Sequence, residues 1–343
     1  MADYTSSLEI GDKIGNGHFG QVHRAQDRAH GDVAVKVLKR GATMNDEQWA
    51  VYKEGHLGEA QNLSKAEHRN VAKVHYVVEG DGGDSVVICM AFCPGGSLQD
   101  QFETGPMMLP DVKRVATQVT HGLGALHRRG MLHRDIKPAN ILIDAQGVAQ
   151  LGDFGLVTDD LLLGYGSQAG YSDHIAHEVW NGGGTSAKTD IWALGMTIYR
   201  LLHGECWYKE AERPAEVVRD GGFVDTLRWL PHIPKDWRRC VRKMLVDDPA
   251  KRYQDAQQVL NGLAPLSVDP AWTASVRSEF ITWERIRGDR RLRAEWERIS
   301  ERKHRWRAWS EPLADGREHT FGGSDGVVGR RDAESGLREF LTS

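Results

Sequence analysis

Asp135, Lys137 and Asn140 fall within one short run, His133-Arg134-Asp135-Ile136-Lys137-Pro138-Ala139-Asn140, and Asp153-Phe154-Gly155 comes soon after. A carboxylate beside an attacking hydroxyl can orient it and take its proton. A lysine can offset charge on a transferring group, and an Asn with an Asp can hold Mg²⁺ through oxygen. Together these residue types form a phosphoryl-transfer set. A polar loop between two short strands would not need so many of them at matched positions. Upstream lies Gly15-Asn16-Gly17-His18-Phe19-Gly20-Gln21-Val22. Glycines let a turn lie close over phosphates, with backbone N–H groups reaching the oxygens. Alone, this run reads equally well as an ordinary glycine turn. It leads into a strand carrying Ala34-Val35-Lys36 rather than into a helix. That order disfavours the dinucleotide and Walker-type phosphate loops, which place a helix after the glycines.

The elements that must position these residues divide in two. Residues 8–38 alternate and turn like paired strands, and Asp46 to Ala66 has a helical pattern. Val71–Val78 and Ser85–Phe92 read as two strands joined by the glycine-rich loop Glu79-Gly80-Asp81-Gly82-Gly83-Asp84. Cys93-Pro94-Gly95-Gly96-Ser97 ends the second strand, and residues 111–261 are mostly helical. The expectation is an α+β fold with a small β-rich lobe over about 8–92, a hinge at 93–97 and a large helical lobe over 98–264.

On these residues the chain resembles the eukaryotic-type serine/threonine protein kinases, from about Leu8 to Leu263. The landmarks fall in order: the glycine loop, Lys36, Glu59, the hinge, Asp135, Asn140, Asp153, Glu178, Asp190 and Arg252. The resemblance implies a two-lobed kinase-like fold in residues 1–264, with ATP and Mg²⁺ in the cleft. It makes Gly15, Gly17, Gly20, Val22, Ala34, Lys36, Met90 and Cys93 the nucleotide-binding set. It also implies that Glu59, with Glu54 as runner-up, pairs with Lys36, and that Asn140 and Asp153 hold the metal. Asp135 would be the base and Lys137 would act at the transferred phosphate. Asp190 would brace the catalytic loop, and Arg252 would pair with Glu178. Lys137 two residues after Asp135 resembles the Ser/Thr class, so the expected activity is transfer of the ATP γ-phosphate to Ser or Thr of protein substrates, including the chain itself. A signalling scaffold without catalysis would lack one of these groups. A small-molecule phosphotransferase would lack features resembling Asp190 and Asp248-Pro249-Ala250-Lys251-Arg252.

Two positions depart from the pattern. Ala176-His177-Glu178 stands where the family has Ala-Pro-Glu, and Gly170-Tyr171 where it has Gly-Thr, a Thr that bears on peptide choice. Thr158, Tyr165, Ser167, Tyr171 and Ser172 are the phosphoacceptors of this segment, and Ser167 sits where the family's primary site falls. Arg134 before Asp135 resembles kinases tuned by phosphorylation of that segment. Cys89 and Cys93 read as strand and hinge packing residues. The histidines other than His133 read as surface or packing residues.

Composition sets the outer bounds. Of 343 residues 40% are hydrophobic and 27% charged, which fits a folded chain of about two domains and excludes a disordered or fibrous one. The longest apolar run, Val86–Phe92, is far short of a membrane span. No leader-like start and no disulfide framework is visible, and a cytoplasmic protein is expected. Residues 270–310 carry 11 basic against 6 acidic side chains, while the chain overall is −4. Val276, Phe280, Trp283, Ile286, Leu292, Trp296 and Ile299 recur mostly three or four apart there, so 265–310 reads as a basic, Trp- and Arg-rich helical extension. Its aromatic stripe is expected to dock on the kinase body or on a second copy, giving a homodimer, rather than on nucleic acid or a membrane surface. Residues 311–343 read as a flexible tail with a short helix at its end.

Overall fold

Gly31–Lys39 carries Lys36 on a run of apolar residues, and that run explains its place in the fold. Val33, Val35 and Leu38 are all fully buried, which requires a strand covered on both faces. It is the middle strand, β3, of an antiparallel sheet. β1 (Leu8–Gly17) and β2 (Gly20–Asp27) lie to one side of it, β5 (Ser85–Ala91) and β4 (Val74–Gly80) to the other. Helix α1 (Asp46–Ser64) packs on β4 and β5 and is pinned by Trp49, whose Nε1 donates to the Gly83 carbonyl at 2.7 Å. The computed structural model describes residues 8–17, 20–64, 67–152, 174–210 and 214–343.

After the connection at 92–97, Ser97 caps α2 (Leu98–Thr104), and the chain becomes largely helical. Two long helices form the centre of this lobe: α3 (Leu109–His127) and α5 (Ala187–Tyr208), which comes after the short α4 (His177–Trp180). Ser186 and Thr189 close a reciprocal cap at the start of α5, fixing where its first turn, and therefore Asp190, sits. α5 kinks at Gly204, where φ is 70° and a Cβ would lie 2.6–2.7 Å from the backbone of Gly105 and Pro106. Any side chain there would separate α5 from the loop after α2. The helices α6 (Pro214–Asp220), α7 (Phe223–Thr226), α8 (Lys235–Leu245) and α9 (Ala256–Leu263) complete the lobe.

The expected helical extension is instead a sheet. After the short hairpin of β6 (Ile141–Ile143) and β7 (Ala149–Leu151) in the helical lobe, strands β8 (Thr273–Val276), β9 (Phe280–Arg287), β10 (Arg290–Arg298), β11 (His304–Pro312) and β12 (His319–Gly323) form a five-stranded antiparallel meander. The reason lies in the alternation within each strand. Ile281 and Trp283 are buried between exposed Phe280, Thr282 and Glu284, and Leu292, Ala294 and Trp296 are buried in the next strand. A period of two puts these on one face of a sheet, whereas the three-and-four spacing drew in Phe280, Ile286 and Ile299, all of which are exposed. Gly288-Asp289, rather than breaking a helix, makes a two-residue hairpin turn with Gly288 at φ 62°. The tail is also ordered, as β12 and helix α10 (Arg330–Leu341), which buries Ala333, Leu337 and Leu341 on the sheet.

Docking on the helical lobe holds, through the sheet. Trp283 Nε1 donates to His232 Nδ1 at 2.9 Å, Trp296 packs near Trp207, and Arg298 pairs with Glu210 at 2.6 Å. Burial pushes His203 and His232 down to about 3, so both are neutral in the fold. In the unfolded chain they titrate near the ordinary value of about 6.5. Below that pH the unfolded state binds protons the native state does not, and stability is lost progressively as pH falls from about 6.5 toward 3. The loss amounts to about 2 kcal/mol per histidine by pH 5. Carboxylates with depressed pKa act only at lower pH, so thermal melts at pH 7 and pH 5 isolate the histidines. The midpoint should fall by several degrees, and an unchanged midpoint would contradict their burial as neutral groups.

Candidate active site

The loop carrying Asp135 is held in an uncommon backbone shape. Arg134 has φ 67°, a left-handed conformation that costs a side-chain-bearing residue roughly 1–2 kcal/mol. Asp190 offsets it. Its carboxylate accepts the His133 amide at 2.9 Å and the Arg134 amide at 2.7 Å, and His127 Nε2 lies 2.8 Å away. The brace expected from Asp190 is therefore present. His133 is buried beneath the loop, with Nε2 3.2 Å from the Gly152 carbonyl.

Around Asp135 the expected groups converge. Asn140 Nδ2 donates to Asp135 Oδ2 at 2.7 Å and to its carbonyl at 2.8 Å, while Lys137 Nζ pairs with the same Oδ2 at 2.8 Å. Asp135, Lys137 and Asn140 are all buried. A fourth group was not anticipated: His174 Nε2 stands 2.9 Å from Asp135 Oδ1. Burial alone would push the Asp135 carboxyl up, but His174 and Lys137 more than offset it and hold it well below the usual carboxylate range. The sequence alone puts His174 among surface or packing histidines. Its position four residues before Glu178 is a signal, but one without meaning until the chain is folded.

In the β-rich lobe, Lys36 is buried on β3, facing Val22 on β2 and Ile88 on β5 in register. Ala34 pairs with Met90, and both are half-buried. Gly15 and Gly17 lie on the β1–β2 hairpin opposite Val22 and Gly20. The glycines differ in purpose. A Cβ on Gly20 would meet the Val37 carbonyl at 2.3 Å, so the sheet itself requires glycine there. A Cβ on Gly15 would meet only the Val22 side chain, at 3.9 Å. Among the described residues nothing excludes a side chain at Gly15, and its bareness suits the approach of a ligand. Cys93 is buried after β5, its thiol pushed up to about 11 by burial and by Asp144.

Glu59 lies on α1, and its side chain is outside the described residues, as are Asp153 and the segment 153–173 with Ser167 and Tyr171. Among the described residues no group of three or more His, Cys, Asp or Glu could hold a metal, and no helix is long and apolar enough to cross a membrane.

The expected Arg252–Glu178 pair is bidentate, at 2.6 and 2.7 Å, and the guanidinium also donates to the carbonyls of Val246, Asp247 and Lys188. His177, standing where the resemblance has proline, uses Nδ1 to reach the Val218 carbonyl at 2.9 Å. Arg252→Ala should cost about 3–5 kcal/mol, because it strands a carboxylate whose counter-charge was buried. Urea unfolding would measure it, and a loss below about 1 kcal/mol, the range of an exposed pair, would contradict that role.

Comparison with known proteins bears on this arrangement. The family model for the protein kinase domain matches residues 8–262. Among similar proteins, serine/threonine-protein kinase PknB of Mycobacterium leprae is 30% identical over 263 residues, covering 73% of this chain and 41% of that protein. Serine/threonine-protein kinase PrkC of Bacillus subtilis is 28% identical over 254 residues, covering 72% and 38%. Cytokinesis protein sepH of Emericella nidulans is 35% identical over 201 residues, covering 57% and 14%. The chain thus spans less than half the length of these relatives, and the family match ends before the C-terminal sheet.

Proposed function

The chain belongs to the protein kinase family, and we propose that it transfers the γ-phosphate of ATP to Ser or Thr hydroxyls of protein substrates. The observation that carries this reading is the buried cluster in which Asp135 Oδ2 is fixed by both Lys137 and Asn140. A carboxylate held at one oxygen can present the other side of its charge to an incoming hydroxyl, orient it and accept its proton. Lys137, already beside Asp135, is placed to offset charge on the phosphoryl group as it moves. Lys36 on the central strand, with Glu59 as its partner on α1, would position the α- and β-phosphates beneath the β1–β2 hairpin. Val22, Ala34 and Met90 would contact the adenine, with the backbone at Cys93 completing that pocket.

The donor set suits Mg²⁺, which prefers oxygen ligands and binds readily where substrate phosphates complete its shell. Asn140 commits Nδ2 to Asp135, so what it can offer a cation is its carboxamide oxygen. Asp153 would supply the carboxylate. Bound there, the ion would neutralise phosphate charge.

The family membership and the full complement of polar groups support catalysis over a scaffold role. Incubating the purified chain with γ-labelled ATP, Mg²⁺ and a generic protein substrate tests the reading. Label should enter protein and should not when Mg²⁺ is chelated. Label released only to small alcohols or amines would contradict it.

A further inference from the structure

His174 reaches Asp135 from a different part of the chain than the other groups, and its role rests on the reading of Asp135 as the base. It sits in the turn leading into α4, buried together with Ile175 and Ala176. That turn is tied to the lobe by the Glu178–Arg252 pair just beyond it. An ionised carboxylate has about four lone-pair sites for donors. Lys137 and Asn140 occupy sites on Oδ2, and His174 Nε2 lies at 2.9 Å from Oδ1.

We propose that His174 is a positioning residue for the phosphotransfer, its imidazole edge, with Nε2 2.9 Å from Asp135 Oδ1, holding the carboxylate plane so that this oxygen faces the acceptor hydroxyl. The torsion that turns a carboxylate about its Cβ–Cγ bond is soft and nearly two-fold. Donors on Oδ2 alone leave the other oxygen weakly constrained. A second polar contact, on Oδ1, fixes the plane. It also means that the base is fully aligned only when the turn before α4 is in place, which links the acceptor-binding segment to the chemistry.

The test compares kcat, the KM for ATP and the KM for a peptide among wild type, His174→Ala, His174→Phe and His174→Gln. Gln places an amide N–H at about the reach of imidazole Nε2, whereas Phe keeps the volume without a donor. Loss of this polar contact at the base predicts that Ala and Phe lower kcat about 10- to 100-fold, with the KM for ATP little changed. Gln should restore most of the rate. Because Phe and Gln both fill the site, their comparison stands even if Ala melts early. A wild-type or raised kcat in Phe would overturn the proposal, and so would a Gln variant as slow as Phe at equal melting temperature. Wild type without any phosphotransfer overturns this proposal and the parent reading together, whereas an active wild type indifferent to residue 174 overturns this one alone.

Discussion

Asp135→Asn should lower phosphotransfer by about a thousandfold or more while leaving the fold intact. The substitution keeps the shape and still offers an oxygen, so Asn140 retains a partner. What it removes is the negative charge proposed to orient and deprotonate the acceptor, together with the counter-charge for the buried Lys137. The two losses separate experimentally. The chemical one appears in kcat, while the electrostatic one appears as a modest drop in melting temperature. Lys36→Met should be equally severe for a different reason, because a buried cation on the central strand is exchanged for a thioether of similar length. That change spares packing and removes the group proposed to position the α- and β-phosphates, so the KM for ATP should rise as kcat falls. Circular dichroism matched to wild type, with label transfer measured in parallel, checks both. Wild-type turnover by Asp135→Asn would refute the assignment of the base.

The second large effect concerns stability. Trp283→Ala should destabilise the protein by about 3–5 kcal/mol, the usual cost of emptying a buried aromatic site. Trp283 is 1% exposed, lies on the inner face of the C-terminal sheet and donates to His232 of the kinase body. Its removal opens a cavity at the seam and leaves the neutral imidazole without its donor. Limited proteolysis should then cut within 270–310 faster than in wild type, and the melting midpoint should fall. An unchanged midpoint with unchanged proteolysis would mean that the sheet does not rest on the lobe through this residue.

The contrast between these two regions explains what the sequence disclosed. The run from His133 to Asn140 is local: Asp135, Lys137 and Asn140 meet because a short loop brings them together, so their spacing carried the geometry. Asp190 and Arg252 were found through the family resemblance, and the structure supplied the physical reasons: a strained Arg134 to hold and a bidentate carboxylate to meet. His174 was missed because its meaning depends on a turn folding back onto the catalytic loop, which no spacing encodes. The extension was misread because aromatic residues can satisfy two periods at once. Trp283, Leu292 and Trp296 fit the helical stripe, but Ile281 and Ala294 fit only alternation, and Gly288-Asp289 was the hairpin signal that should have decided it. Charge complementarity is indifferent to secondary structure. Arg298 of the basic segment does meet Glu210 of the acidic body, from a strand instead of a helix.

The activity proposed for Asp135 and its neighbours is transfer of phosphate to protein hydroxyls. Mass-spectrometric mapping of a protein substrate and of the chain itself, after reaction with ATP and Mg²⁺, tests it most directly. New phosphates are expected on Ser and Thr with wild type and none above background with Asp135→Asn. Phosphate on tyrosine alone, or equal phosphate with both proteins, would contradict it.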